Sequence, residues 1–405
     1  MPHFKYLIVF LALVCCTTAD ASSVSDIAVG RVIIENQSSE TQKRAGQAAL
    51  RQVFVKLSGS EETLNNQIIR RALNNYEQYL IASSYIQRDE ALLFEARFNQ
   101  EKLTNLLKTS GLPVWANLRP SATLWLASQT PSRDLLWLNQ NTAFAFNNNL
   151  QQQAFERGVN IVLPLGDLTD SMSVSAFDVW TQNTNKLKLQ TTRYNTPFTI
   201  SASLQPLSDA AREQYQEEAQ FMAQQAALEA LLNSPTELES ESSSGSQVSN
   251  SGQNVNDAPV LPSPQDQYQL DWIISGPEQL HIGKTFLSDN NTVAQTLVRL
   301  YADLLASQYA SDASMKGEKA SGTLVMANIL SLIDYNQALA LINSMPQIDN
   351  VSLNSIEGNT ASFSVSLLGS ANDLVNLLTL DKRVKVNNQD ISRANSEFIS
   401  LTWGQ

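Results

Sequence analysis

Both cysteines of the chain, Cys15 and Cys16, lie near its start, and no residue after them carries a thiol. No disulfide can staple a domain built from the rest, so its stability must come from ordinary core burial. At 405 residues and 43% hydrophobic, the chain can fill two or three cores of ordinary size.

The two cysteines sit in a stretch built like a secretory leader. It has a basic start around Lys5, an apolar run from Tyr6 through Val14, and Ala19-Asp20-Ala21 spaced for a signal peptidase. The run is shorter than the roughly 20 apolar residues of a spanning helix. The residues before Cys15 and Cys16 also fit a lipoprotein site poorly. Residues 1–21 are read as a signal peptide, leaving an exported chain with no transmembrane segment after cleavage and one histidine, His281. The net charge of −12 and pI near 4.7 argue against a nucleic-acid partner, since no basic cluster is present to neutralise phosphates.

Apolar periodicity divides the mature chain into three parts, a multi-domain mixture of α/β and α+β classes. Residues 22–115 are expected to form an α+β domain. It opens with a strand around Ile27 to Ile34 and a helix carrying Ala45, Ala49, Val53 and Leu57 on one face, ended by Ser58-Gly59. A second helix from Ile68 to Leu80, strands at Ser83–Gln87 and Leu92–Phe98, and a helix from Gln100 to Leu107 complete it.

Residues 116–310 read as an α/β domain. Strands Thr123–Leu126 and Ile161–Leu165 flank a helix Ala143–Arg157 in βαβ order. Further strands are expected at Phe198–Leu204, Tyr268–Ile274 and Leu280–Ile282, and a helix carries Val293, Leu297, Leu300 and Leu304. A Gln-rich helix at 209–233 and a Ser-rich insertion at 234–267 interrupt this domain; the insertion holds too little apolar surface to order itself.

A linker at 311–321 leads to residues 322–405. There a strand Leu324–Leu330, a helix capped by Asp334, two strands through Val351 and Phe363, and a helix capped by Ser370 give βαββα order. With a last strand near Val384 or Phe398, this is a ferredoxin-like split βαβ unit, a fold that hosts many unrelated functions.

Searches for chemistry return mostly absences. There is no Gly-x-Ser-x-Gly elbow, phosphate-cradling Gly-rich loop, His-Glu-x-x-His, Cys-x-x-Cys or Ser-x-x-Lys pair. No cofactor is implied. His281 reads as a surface residue on a strand. The best candidate is Gly166-Asp167-Leu168-Thr169-Asp170 with Asp178 nearby, just past the strand at Ile161–Leu165, where open α/β sheets bind ligands. Asp167, Asp170 and Asp178 offer oxygen ligands for a hard cation or an acid/base pair. The alternative is that these side chains only cap turns and helices. Arg119 and Arg193 are candidate anion ligands, with pairing to the Asp-rich loop as the other reading. Trp115, Trp125, Trp180 and Trp272 read as core.

Several short motifs together resemble a known family. These are the run Leu50-Arg51-Gln52-Val53-Phe54-Val55-Lys56-Leu57-Ser58-Gly59, then Gly111-Leu112-Pro113-Val114-Trp115 with Arg119-Pro120, then Leu163-Pro164-Leu165 with Asp167, Asp170 and Asp178-Val179-Trp180, and lastly Arg193-Tyr194. In this order they are similar to DUF2066, a domain of unknown function in exported proteins of gammaproteobacteria, over roughly Ile27 to Ala310. The resemblance implies a periplasmic location in a Gram-negative cell and assigns no catalytic residue. Composition, leader and resemblance together point to a non-enzymatic binding or scaffold module for another cell-envelope component, protein or glycan. The alternative is a carboxylate- or metal-dependent hydrolase centred on the Asp-rich loop.

Overall fold

The computed structural model describes residues 26–88, 91–130, 132–232, 261–277, 279–311, 320–345, 347–367, 371–378, 381, 383–387 and 398–404. The expected signal peptide, the Ser370 cap and most of the Ser-rich insertion lie outside them. Helices and sheets are mixed in several bodies, as expected of α/β and α+β classes.

The N-terminal elements are β1 (Val29–Ile34), α1 (Ser39–Ser58), α2 (Gln67–Asn74), β2 (Leu80–Arg88), β3 (Ala91–Phe98), α3 (Gln100–Thr109) and β4 (Val114–Trp115). The order of the antiparallel sheet is β1-β3-β2. Ser38 caps α1 by accepting from the Thr41 N–H. The stripe Ala45, Ala49, Val53 and Leu57 is buried. It lies so near the sheet that a Cβ on Gly30 would stand 2.3 Å from the Ala49 carbonyl oxygen. The expected helix Ile68–Leu80 stops at Asn74: the Asn75 side chain bonds back to the Arg71 carbonyl, a 3-10 turn follows, and Leu80 already opens β2.

The middle of the chain supplies β5 (Ser121–Gln129), β6 (Leu135–Leu138), α4 (Phe144–Arg157), β7 (Asn160–Val162), α5 (Leu168–Ser173), α6 (Ala176–Trp180), α7 (Thr184–Thr191), β8 (Phe198–Pro206), α8 (Asp209–Leu232), β9 (Tyr268–Ser275), β10 (Leu280–Leu287) and α9 (Val293–Tyr309). The sheet order is β10-β9-β8-β5-β6, with β7 also on β5. Only β5 and β8 pair in parallel along this path.

Strand β6 has no counterpart among the sequence expectations. Side-chain bonds among Thr130, Ser132 and Asp134 turn the chain back onto β5 there. The expected strand Ile161–Leu165 ends at Val162, because Pro164 has no N–H to extend a ladder and Gly166 turns the backbone. Residues 261–267, expected to be disordered, are anchored: Leu207 donates to Gln267, Gln267 to Leu287, and Arg212 to the carbonyls of Ser263 and Asp266.

The C-terminal elements are β11 (Ala310–Ser311), which pairs with β4, then β12 (Ala320–Ala327), α10 (Leu332–Asn343), β13 (Ile348–Glu357), β14 (Thr360–Leu367), α11 (Ala371–Leu378), β15 (Val384–Val386) and β16 (Phe398–Trp403). The sheet order β13-β14-β12-β16-β15, with β12 and β16 parallel, is the ferredoxin-like split βαβ arrangement plus the short β15. Leu324, Met326, Ile342, Phe363, Leu377 and Trp403 fill its core. Asp334 is not the helix cap itself. Ser331 is, and Asp334 returns its carboxylate to the Ser331 hydroxyl.

By internal contacts the chain divides into two compact units. One is Met1–Ser121 with Ala154–Asn160 and Arg299–Gln405; the other is Ala122–Gln153 with Ile161–Val298.

Candidate functional site

In the unit containing Ala122–Gln153 and Ile161–Val298, the Asp-rich segment forms a closed loop after β7. Gly166 adopts φ +71, and a Cβ there would stand 2.3 Å from the buried Asn139 side chain, so only glycine turns the chain without displacing it. Asp167 then caps α5 by accepting from the Asp170 N–H at 3.0 Å.

Arg193 closes the loop. One guanidinium nitrogen donates to Asp167 Oδ1 and to Asp170 Oδ1, each at 2.8 Å, and the other to Asp167 Oδ2 at 2.5 Å. The remaining oxygen, Asp170 Oδ2, accepts from the Tyr194 hydroxyl at 2.5 Å and the Gly166 N–H at 2.9 Å. Tyr194 in turn accepts from the Leu165 N–H.

All four carboxylate oxygens of the pair are therefore engaged. The Arg193 guanidinium holds the Asp167 carboxyl well below its ordinary range, and Asp167 raises the Arg193 pKa in return. Burial, and then the bond to Asp170, push the Tyr194 hydroxyl up. A cation at this loop would have to displace Arg193. Among the described residues no group of three or more His, Cys, Asp or Glu side chains is placed to hold a metal ion.

Asp178 stands apart from this pair. It forms a capping box with Ser175 and accepts from Lys186 at 2.7 Å, tying α6 to α7. The Lys186 bond and the Ser175 bonds pull its carboxyl down to about 2.

Beneath this layer Trp125 is fully buried, stacked on Trp137 and edge-on to Tyr194. Outside it, large apolar side chains face solvent: Leu168 and Met172 are 76% and 80% exposed, and Phe177 and Leu189 are also exposed.

Arg119 belongs to the other unit and meets no carboxylate among the described residues. Its guanidinium donates to the carbonyls of Ala116 at 3.1 Å, Gly158 at 2.7 Å and Lys56 at 2.5 Å, and it stacks on Trp115 at 3.7 Å. Lys56 and Gly158 lie at the C-terminal ends of α1 and α4, where helix carbonyls lack intrahelical partners. Burial, with Arg157 adding, pushes the Arg119 guanidinium down to about 9, still charged at neutral pH.

Beside it, the fully buried Lys56 donates to the Val29 carbonyl at 2.8 Å and rests 3.4 Å over the Phe155 ring. Burial first, then Arg119 and Arg31, lower its pKa to about 7. No catalytic motif marks Lys56 in the sequence. Its signal is a lysine inside the apolar run Val53-Phe54-Val55-Lys56-Leu57.

A groove of about 620 Å³ opens in this same unit, lined by Ser60, Glu61, Glu62, Arg157, Arg299 and Asp303 among others. Arg157 bonds Asp303, Glu61 and the Gly59 carbonyl, while its Nε has no partner among the described residues. Burial raises the pKa of Asp303. Of the other sequence candidates, Trp115 and Trp125 are buried as expected, Trp180 and Trp272 are half-buried, and His281, expected at the surface, is half-buried beside Gln279 while its strand neighbours Leu280 and Ile282 carry the exposure.

Residues 21–116 match a domain of unknown function, DUF8605. The matched stretch holds β1 through β4 and the whole of the Leu50–Gly59 and Gly111–Trp115 motifs on which the DUF2066 resemblance began. That resemblance is overturned, since the family that matches is a different one and DUF2066 does not match. No curated protein and no solved structure matches the chain.

Proposed function

We propose that the protein is exported to the periplasm and serves there as a non-enzymatic binding or scaffold module for another component of the cell envelope. The observation that carries this reading is the state of the Asp-rich loop. Asp167 and Asp170, the strongest candidates for acid/base or metal chemistry, have every carboxylate oxygen engaged by Arg193, Tyr194 and backbone N–H groups. The same lock holds α5 with Leu168 and Met172 turned to solvent. Leu168 and Met172 are four residues apart on that helix and so neighbour each other, and adjoining exposed apolar side chains are a feature of interaction surfaces. Export rests on the leader pattern alone, with Lys5, the run Tyr6–Val14 and Ala19-Asp20-Ala21 supporting it. No helix among the described residues is long and apolar enough to cross a membrane.

The test places a photo-crosslinking residue at Met172, and at exposed Glu40 as the control, in a cell whose periplasm is then isolated. The reading expects a discrete adduct from position 172, none from position 40, and the protein in the periplasmic fraction. A cytoplasmic protein, or identical labelling from both positions, sinks it. In parallel, the melting temperature is measured with and without magnesium or zinc. Stabilisation by metal that disappears in Asp167→Asn with Asp170→Asn returns the site to the hydrolase reading.

A further inference from the structure

The C-terminal ferredoxin-like sheet leaves one corner uncovered. Leu332 and Ile333, at the start of α10, are 74% and 68% exposed, and Leu330, Leu353 and Ile356 are exposed as well. The structure sets Leu330, Leu332, Leu353 and Ile356 around this corner, with Ile333 next to Leu332 on the exposed side of α10. The Ile329 N–H donates to the Asn359 carbonyl at 2.8 Å, which sets Leu330 beside the β13–β14 turn. Ile356 pairs with Ala361 next to that turn, and Leu353 pairs with Phe363. Phe363 stacks on Tyr335, and Leu332 lies one helical turn before Tyr335 on the same side of α10. Strand β13 is also an edge, with β14 as its one partner among the described residues. Isolated apolar residues on a surface are ordinary, but a contiguous group beside a free strand edge marks an interaction surface.

Charge restricts the occupant. Between Lys319 and Lys382 the chain has no Lys, Arg or His; Asp381 there is buried and paired with Arg383, and the carboxylates placed at this corner are Asp334 and the exposed Glu357. An anionic bilayer is repelled by such a surface, and a second copy would set the same carboxylates against themselves. Register irregularities at Ile348/Asn350 and Leu353/Ser355 further break β13 into short runs, a device that discourages pairing with an identical strand.

We propose that this corner docks a segment of a partner protein that presents apolar side chains flanked by lysine or arginine. It draws on residues other than those of the Asp-rich loop, so each surface stands or falls separately.

The probes are two fluorescein-labelled ten-residue peptides, one alternating leucine with lysine and the other leucine with glutamate, titrated into the full-length protein and read by anisotropy. The lysine peptide is expected to bind at least tenfold more tightly than the glutamate peptide. Leu332→Ser with Ile333→Ser is expected to weaken it tenfold or more, and Glu357→Gln by a smaller factor, with the melting temperature unchanged because these side chains face solvent. Equal binding of both peptides, no binding by either, or full affinity in the double variant overturns the proposal; the last result assigns the binding to the net charge of −12. Binding to vesicles of phosphatidylglycerol and phosphatidylcholine, or a concentration-dependent dimer, that is lost in the double variant also overturns it and names a bilayer or a second copy instead.

Discussion

Arg119 and Arg193 are two guanidinium anchors that hold their surroundings by opposite means. Arg193 sits half-exposed among carboxylates, and its pKa rises. Arg119 is buried among carbonyl oxygens and an indole face, and its pKa falls to about 9, with Lys56 beside it lowered to about 7. Carbonyl dipoles satisfy hydrogen bonds but bring no counter-charge, so desolvation dominates at Arg119 and Lys56. At Arg193 the carboxylates supply both, and hydrogen bonding dominates. The first arrangement makes stability depend on pH near neutrality; the second confines pH dependence to acid.

The largest effect should come from breaking the carbonyl-bound anchor. Arg119→Met strips donors from the carbonyls of Lys56, Gly158 and Ala116, leaving helix-end acceptors buried without partners. At roughly 1–3 kcal/mol for each orphaned group, with incomplete additivity, the loss should be about 3–5 kcal/mol in urea unfolding. Arg119→Lys, with a single point donor, should recover only part of it. A loss under about 1 kcal/mol for the methionine variant would show that the carbonyls find other partners.

Lys56 tests the pH side of the comparison. Its folded pKa of about 7 lies below the ordinary value of 10.5, so between these pH values the unfolded chain binds the extra proton. Stability should therefore rise with pH across that window, with a slope approaching about 1.4 kcal/mol per pH unit, and be insensitive to this group below about pH 7. Lys56→Met should flatten the rise. Chemical denaturation at pH 7, 8 and 9 measures it, and an unchanged slope in the variant assigns the titration elsewhere.

The carboxylate-bound anchor should respond more modestly. Asp170→Asn replaces a buried acceptor facing Arg193, Tyr194 and the Gly166 N–H with an amide that can satisfy only part of that set, at a cost of about 2 kcal/mol. Because Asp167 in this cluster and Asp178 in its own capping box have lowered pKa values, their contribution is fully present above the ordinary carboxylate range. It is lost only as pH falls below it, toward about 2 for Asp178. Loss of this contribution between pH 5 and 8 would contradict the pairing.

How far the sequence foretells these two anchors differs for a physical reason. Arg193 and its aspartates come from separate stretches, yet opposite charges are recognisable as potential partners before any fold is known; the sequence leaves Arg119 and Arg193 alike open to pairing with the Asp-rich loop, and it is Arg193 that makes the pairing. Arg119 has carbonyl partners, which every residue carries and no sequence marks. The periodic elements were legible in the same selective way. Ala45, Ala49, Val53 and Leu57 predicted α1, and Phe363, Val365 and Leu367 predicted β14, because burial on one face leaves a period. Strand β6 has only Leu135 to Leu138 and no alternation, and the early end of α2 depends on one Asn75 side chain. The groove around Arg157 and Asp303 joins residues nearly 150 positions apart, with no shared motif.

The smallest structural effect carries the sharpest functional contrast. If the Arg193 lock exists to hold a surface rather than to do chemistry, the side chains it presents should be dispensable to the fold. Leu168→Ser with Met172→Ser removes apolar groups that are already in water, so unfolding free energy should change by no more than about 0.5 kcal/mol. Asp170→Asn removes none of those groups but loosens the helix that carries them. Both variants should therefore lose crosslinking from a probe placed at the exposed Phe177, one without and one with a fall in stability. If the serine variant keeps the crosslink while the asparagine variant loses it, the contact is made by the loop backbone or its charges, and the apolar face is not the surface in use.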